Sequence, residues 1–409
     1  MPAPTRSLTI HKARDLITER AFRVSTAERV GLELEWLTRS PAAPVTVEGL
    51  RRMIGSIGPL PCGSAITFEP GGQIEISTPH FEWCADAVAA AAADSNGLRA
   101  ALRAFDVDTV GMGLDPARSE ALVTDVDRYV AMRAFFDARG PAGGRMMCTT
   151  AAIHVNVDGG SDEEGARRWR LAHRLGPVFV AAFSNSPLLY GRRSGWKSAR
   201  FSAWLDIDPT RTSPALASGS GPEDWARYAL AANVMFIRTP SAFVPLADDV
   251  PFERWIEDGS DFGFPTADDL DYHLTTLFPP VRPHGRLELR MFDMLAEPWW
   301  RAAAVVAAAL LHDADAGAAA WDATAETAQL WTEAARYGLS HPVLAAAAER
   351  CFAAALQAAV CDDESRRTAE AFYERYVSRR RSPADDRLAD FEASGALYPT
   401  DETVEELSS

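Results

Sequence analysis

Four segments of the chain alternate between aliphatic and polar residues, and this alternation restricts the folds open to it. They are residues 30–36, residues 72–77, residues 150–158 and residues 286–291. Successive side chains of a β-strand point to opposite faces, so each segment predicts a strand with one apolar and one polar face. Together they predict an antiparallel sheet with one buried face and one open face.

The polar faces of these strands carry charged groups. The residues concerned are Glu33, Glu35, Gln73, Glu75, His154, Asn156, Arg286, Glu288 and Arg290, with Glu69 just before the second strand across a Pro-Gly-Gly turn. Taken singly, each strand fits the solvated face of an ordinary sheet. Taken together, clustered carboxylates repel each other unless a positive charge lies between them. Carboxylate oxygens suit Mg²⁺ or Mn²⁺, and arginine forks suit a bound carboxylate or phosphate. The pattern therefore indicates a metal and anion site.

A basic loop between residues 190 and 200 is a second candidate feature. It contains arginines and Lys197, one of only two lysines in the chain, and it leads through Arg200 to Trp204. One interpretation is a solvated surface loop. The other is an anion clamp, because local positive charge on an acidic protein attracts acidic ligands. The sequence leaves both interpretations open for Arg200.

The amino-acid composition argues against several classes of function. The 409 residues include 57 acidic and 41 basic ones, for a formal charge of −16. This balance argues against a nucleic-acid partner, which requires a clustered basic surface. We find no apolar run long enough to span a membrane. The odd cysteine count without a CxxC pair favours a reduced, cytoplasmic protein. A monomer is the default expectation.

The hydrophobic periodicity favours an α+β protein with its helices concentrated toward the C-terminus. We expect an α+β sheet region over residues 1–295, a helical region over residues 296–381 packed on the same domain, and an acidic tail over residues 382–409. Helices are also predicted at residues 83–105 and 162–183, covering one face of the sheet. Within the C-terminal helices, a break is expected at Gly317.

The four strand motifs, in this order, resemble those of the carboxylate–amine ligases with a glutamine-synthetase-like fold. Within that group the chain resembles the glutamate–cysteine ligases, and residues 198–204 and 206–212 are similar to the plant-type and actinobacterial branch. The likeness is strongest to the ergothioneine-pathway enzymes and extends from about residue 27 to residue 300. It implies an antiparallel sheet curved into a funnel, with flanking helices and an active site on its concave polar face.

The resemblance also implies a reaction: ATP phosphorylates the γ-carboxylate of glutamate, and the amine of cysteine then displaces phosphate. ATP is thus an expected co-substrate and Mg²⁺ or Mn²⁺ an expected cofactor. The implied metal ligands are Glu33, Glu35, Glu69, Glu75, His154 and Glu288. Arg290 and Arg200 would grip the substrate carboxylate or stabilise the transferred phosphoryl group. Substrate contacts are expected from Gln73, Asn156 and Trp204, and nucleotide contacts from Arg286 and Lys197.

The sequence leaves two alternatives to this function open. One is a related ligase that joins glutamate to a different amine. The other is a non-catalytic relative that binds metal or nucleotide without turnover. The residues do not mark the cysteine pocket, and they do not identify the thiol pathway that would consume the product.

Overall fold

The computed structural model describes residues 8–25, 27–41, 45–55, 57–216, 218–358 and 362–399. The strands are β1 (Val30–Arg39), β2 (Ala65–Phe68), β3 (Ile74–Ser77), β4 (Asp108–Val110), β5 (Ala152–Val157), β6 (Leu188–Leu189), β7 (Arg192–Arg193), β8 (Phe236–Arg238), β9 (Phe243–Pro245), β10 (Val281–Pro283) and β11 (Leu287–Asp293). A seven-stranded sheet has the order β10-β11-β5-β1-β3-β2, with β4 also paired to β1. Every pairing in this sheet is antiparallel.

Helices surround the sheet and dominate the C-terminal part of the chain. They are α1 (Ile10–Ala21), α2 (Val47–Ile54), α3 (Cys84–Arg103), α4 (Asp127–Asp137), α5 (Ala142–Thr149), α6 (Asp162–Ala182), α7 (Ala199–Leu205), α8 (Pro209–Thr212), α9 (Gly221–Ala231), α10 (Phe252–Asp258), α11 (Ala267–Leu274), α12 (Trp299–His312), α13 (Ala314–Ala323), α14 (Trp331–Tyr337), α15 (Pro342–Gln357), α16 (Asp363–Arg375) and α17 (Pro383–Ser394). Short 3₁₀ helices cover Gly338–Ser340 and Val377–Arg379.

The predicted strand faces are present. In β1, Leu32 and Leu34 are buried while Glu33 and Glu35 remain partly exposed, as period-two geometry requires. The apolar face packs against α3, α6 and α12, and every residue of α12 except Arg301 is buried. Burial of this face sets the polar face toward the opposite side, where the candidate residues lie.

The alternation expected for the fourth strand is interrupted. The register between β11 and β5 shifts after Leu289, so that Phe292 lies opposite Ile153 and Asp293 opposite Ala152. The irregularity buries both Met291 and Phe292. A bulge of this kind changes the direction of the side chains that follow it, and alternation in the sequence does not reveal it.

Two expectations for the C-terminal part are corrected. Gly317 lies inside α13 rather than at a break, and a Cβ there would lie 3.0 Å from the Leu310 carbonyl oxygen. The glycine therefore permits close packing instead of ending a helix. Residues 382–399, expected within an acidic tail, include α17, which begins with a capping box between Ser382 and Asp385. Residues 400–409 lie outside the described part of the chain.

Among the described residues, no single helix meets the length and apolarity needed to cross a membrane. The consecutive helices α12 and α13 do so only as a pair, and they are bent by 100° relative to each other.

Candidate active site

The register of the sheet brings the polar side chains of four strands together. Glu33 of β1 lies opposite His154 of β5, and Glu35 lies opposite Glu75 of β3. On the other side of β5, Asn156 lies opposite Glu288 of β11. Residues directly opposite each other on one face are in contact distance, so the strands present a single polar patch.

His154 lies at the centre of this patch. Its Nδ1 is 2.9 Å from Glu33 Oε2 and 3.6 Å from Glu288 Oε1, and its Nε2 is 3.8 Å from Glu35 Oε1. Two groups of ligand atoms converge within 4.8 Å: Glu33 with His154 and Glu288, and Glu35 with Glu75 and His154. Within the described residues, the buried His154 Nε2 makes no hydrogen bond. These groups have the donor chemistry of a divalent-cation site.

Arginines neutralise one side of the patch. Arg282 of β10 donates to both oxygens of Glu288, with Nε–Oε2 2.6 Å and Nη2–Oε1 3.1 Å. Arg290 also donates to Glu288, from its Nη1. Sequence reasoning missed Arg282, although it lies directly opposite Glu288 in the β10–β11 pairing. Its strand is only three residues long, too short for an alternating pattern to be visible.

This arrangement divides the carboxylates into two electrostatic classes. Burial raises the pKa of Glu288, but Arg282 and Arg290 outweigh it and hold that pKa well below the usual range. For Glu33, burial and the charge of Glu288 raise the pKa, and the hydrogen bond and charge of His154 with the charge of Arg290 bring it below the usual value. Both carboxylates are therefore ionised at neutral pH.

For the other three carboxylates, the opposing interactions do not offset the effect of burial on the pKa. Burial, followed by the charges of Glu69 and Glu33, raises the pKa of Glu75 to about 8. Burial and the same neighbour Glu69, with Glu75, raise the pKa of Glu35 well above its usual value. Burial also raises the pKa of Glu69, against the opposing charge of Arg290. Burial thus disfavours the ionised form of all three carboxylates, and a divalent ion would favour it, so such an ion fits the site chemically.

A cavity of about 310 Å³ opens onto the patch. The residues predicted for the site that line it are Glu33, Glu35, Glu69, Gln73, Glu75, His154, Arg200, Trp204 and Arg290. Glu288 is completely buried behind this surface, and Asn156 donates from Nδ2 to Glu33 Oε1 at 3.0 Å. The structure thus brings together eleven of the thirteen predicted residues, nine at the cavity and two in contact with those that line it.

Arg200 and Trp204 enter the cavity from helix α7. Ser198 caps this helix by accepting a hydrogen bond from the Phe201 N–H. The Arg200 guanidinium lies 4.6 Å from the centre of the Trp204 ring, and its Nη2 donates to the Arg290 carbonyl at 2.9 Å. Of the two interpretations of Arg200, the structure therefore excludes a solvated surface position.

Gln73 is held by the backbone of the neighbouring segment. Its Nε2 donates to the Thr150 carbonyl at 2.8 Å. Its Oε1 is buried without a hydrogen-bond partner among the described residues. The side chain thus leaves one acceptor available at the cavity.

Arg286 and Lys197, the expected nucleotide contacts, do not line this cavity. The Nε of Arg286 lies 3.3 Å from Asp158 Oδ1, and the side chain lines a different cavity near the end of α1. Lys197 Nζ is 2.5 Å from Asp385 Oδ1 of α17. Both cations have carboxylate partners, which the sequence did not indicate because the partners are distant along the chain.

Helix α4 contributes cavity residues that the strand pattern did not identify. Arg128 donates from Nη1 to Thr275 Oγ1 at 3.0 Å, and Tyr129 lies beside it. Burial, together with the charge of Glu69, raises the pKa of the Tyr129 hydroxyl to about 12. The available signal was an Arg-Tyr pair in the first turn of a helix, which has no specificity by itself.

The chain is similar in sequence to known glutamate–cysteine ligases. The family model described as glutamate-cysteine ligase family 2 matches residues 29–405. The glutamate–cysteine ligase EgtA of Mycolicibacterium smegmatis is 42% identical over 367 residues, 88% of this chain and 86% of that protein. The chloroplastic glutamate–cysteine ligase of Brassica juncea is 31% identical over 289 residues, 68% of this chain and 55% of that protein.

A solved structure supports the fold. The Francisella tularensis glutamate–cysteine ligase in complex with AMP has a TM-score of 0.58 at 13% identity, covering 95% of this chain and 88% of that one. The predicted α+β fold, an antiparallel sheet of glutamine-synthetase-like type with flanking helices and a helical C-terminal region, is confirmed. The match of the family model and the identity to the bacterial relative show that the chain belongs to glutamate-cysteine ligase family 2.

Proposed function

We propose that this chain is an ATP-dependent glutamate–cysteine ligase. An oxygen of the glutamate γ-carboxylate attacks the γ-phosphorus of ATP and ADP leaves. The cysteine amine then attacks the acyl carbon of the γ-glutamyl phosphate, losing a proton as inorganic phosphate departs, to give γ-glutamylcysteine. The observation that carries this proposal is the convergence of four carboxylates and four arginines at one cavity, with Glu288 buried behind them, in a chain of this family.

The carboxylates would hold Mg²⁺ or Mn²⁺. The residues proposed for this are Glu33, Glu35, Glu69, Glu75, Glu288 and His154, which supply mainly the oxygen donors that these ions prefer. The raised pKa of Glu75 supports this, because a cation would supply the missing compensation. An ion held there would neutralise the triphosphate and the charge that develops in phosphoryl transfer.

The arginines would position the substrate. Arg200 and Arg290 are adjacent, joined through the Arg290 carbonyl, and both face the cavity. Planar guanidinium forks bind carboxylate and phosphoryl oxygens bidentately, so the pair suits the glutamate carboxylate or the transferred group. The Trp204 ring and the free Gln73 Oε1 would orient the amino acid, and Asn156 would keep Glu33 in place.

The proposal also covers the pathway, the cellular location and the oligomeric state of the protein. The likeness to a mycobacterial EgtA supports a place in ergothioneine synthesis. We propose small-molecule substrates, a cytoplasmic location and a monomeric state. Arg286 and Lys197 are not included as nucleotide contacts, because each is bound to a carboxylate outside the cavity.

A phosphate-release assay tests the proposal. With ATP and Mg²⁺, phosphate should appear only when both glutamate and cysteine are present, and γ-glutamylcysteine should be identified by mass. Equal turnover with other amines in place of cysteine would contradict the assignment of cysteine as the substrate. Mg²⁺-dependent ATP binding without turnover would instead indicate a non-catalytic relative. The Glu288→Gln variant is the matched inactive control.

A further inference from the structure

A second cavity, of about 360 Å³, lies between the end of β1, helix α3, strand β4 and the segment before α12. It shares no lining residue with the candidate active site among the described residues. Three arginines line it: Arg39 from β1, and Arg99 and Arg103 from α3. Trp36 forms an apolar part of its wall. Its volume is within the range of small-molecule sites.

The three arginines lack direct carboxylate partners. In the part of the chain that the structure describes, no ion pair within 4.0 Å involves any of them. Arg99 and Arg103 lie one helical turn apart, where like charges destabilise a helix. Asp108 and Glu297 also line the cavity, so three positive charges face two negative ones. On a chain of formal charge −16, this local positive excess would attract an anionic ligand.

In contrast to the arginines, Glu297 has a carboxylate oxygen that lacks a hydrogen-bond donor among the described residues. Its Oε2 accepts from Arg301 Nε at 3.0 Å. Its Oε1 is buried and, within the described residues, has no hydrogen-bond partner. A buried carboxylate oxygen without a donor is costly, so the cavity also calls for a donor beside Glu297.

We propose that this second cavity binds a small dicarboxylate that carries an amine. The guanidinium groups of Arg39, Arg99 and Arg103 bind the carboxylates through charge-assisted hydrogen bonds. The ammonium donates to Glu297 Oε1, and the Trp36 ring contacts the methylene carbons. This inference does not depend on the proposed ligase activity.

A second source of carboxylates for this cavity is the C-terminal part of the chain itself. Pro399 lines the cavity, and the sequence continues with Asp401, Glu402, Glu405 and Glu406, which lie outside the described residues. The experiment therefore compares the full chain with a chain ended at Pro399.

Isothermal titration with L-aspartate and succinate tests the proposal. L-Aspartate should bind the full chain saturably, and Arg99→Gln with Arg103→Gln should weaken it about tenfold or more, because charge-assisted hydrogen bonds are lost. Arg52→Gln, at an exposed position of α2, is the matched surface control and should change nothing. Arg290→Gln, in the candidate active site, should leave this binding event intact.

The role of Glu297 has its own readout. Succinate lacks the amine and should bind more weakly than L-aspartate, and Glu297→Gln should remove that preference. If the double arginine variant does not fold, as judged by circular dichroism, the exposed Arg103→Gln variant is used alone.

Two results would overturn the proposal. One is the absence of saturable binding both to the full chain and to the chain ended at Pro399. The other is binding that the arginine variants leave unchanged. Binding only to the chain ended at Pro399 would keep the cavity a carboxylate site and assign its normal occupant to the acidic residues after Pro399.

Discussion

Asp293 Oδ1 lies 3.8 Å from Arg200 Nη1, and each of the two side chains is about 1% exposed. Asp293 also accepts hydrogen bonds from Ser186 Oγ at 2.7 Å and from Ser198 Oγ at 2.8 Å. Ser198 is the N-cap of α7, the helix that carries Arg200. Asp293 therefore ties the end of β11 to the start of α7 and is a positioning residue for Arg200.

Asp293→Asn should lower kcat/KM by about a hundredfold, because a misplaced binding group of this kind costs about that much. The loss should appear mainly as a higher KM for glutamate, since Arg200 would still be present but poorly oriented. Steady-state kinetics with Arg200→Lys and the double variant check the assignment. If the free-energy losses of the two single variants simply add up in the double variant, Asp293 does not act through Arg200, because substitutions of coupled residues have non-additive effects.

Removing the charge of Glu288 and removing the charge of Glu75 should have opposite effects on the free energy of unfolding. Glu288→Ala leaves Arg282 and Arg290 without their carboxylate, and breaking such a buried pair costs about 3–5 kcal/mol of the unfolding free energy. Glu75→Gln removes a carboxylate whose pKa is already raised to about 8 by burial and by Glu69, so the metal-free protein should be as stable or more stable. Both variants should lose turnover.

Urea unfolding in the presence of a chelator measures this contrast. The sequence alone suggested that any member of the carboxylate cluster would repel its neighbours. Equal stabilisation by the two substitutions would support that simpler view and would contradict the pairing of Glu288 with Arg282.

Lys197→Gln should affect stability rather than nucleotide binding. The residue is paired with Asp385 at 2.5 Å, and both side chains are partly exposed, so the loss should be about 1 kcal/mol or less. The KM for ATP should stay within about twofold of the wild type, because Lys197 does not line the cavity. Asp385→Asn is the matched control. A large rise in KM for ATP in Lys197→Gln alone would return this lysine to the nucleotide site.

Three buried histidines should make the protein sensitive to acid. Burial lowers the pKa of His173 to about 4 and those of His273 and His312 to about 3. Because the folded pKa lies below the unfolded value, the unfolded chain binds more protons, and stability falls as pH decreases from about 6.5 toward these values. Each histidine contributes about 1.4 kcal/mol per pH unit to that slope.

Urea unfolding at several values between pH 7.5 and pH 5 tests this slope. His312→Gln should be less sensitive to pH than the wild type, because it removes one of the three titrating groups. An identical slope in the variant would show that His312 is not held neutral in the folded protein.

The strand faces were predictable because they follow from local geometry. Alternation in residues 30–36 placed Glu33 and Glu35 on one face whatever their partners, and the same argument located Glu75 and His154. The contribution of α4 was not predictable, since Arg128 and Tyr129 lie in a helix without a distinctive sequence pattern. Nor was the pairing of Lys197 with Asp385, whose positions are 188 residues apart.

By itself, the sequence determined which side chains share a face and, through its strand motifs, the family that the chain resembles. Only the tertiary structure decided the register that sets Glu288 opposite Arg282 and the arrangement that places Asp293 Oδ1 3.8 Å from Arg200 Nη1. The reason is physical. The side of a strand on which a residue lies depends on its immediate neighbours, whereas strand pairing, burial and the resulting charge state depend on residues that are distant along the chain.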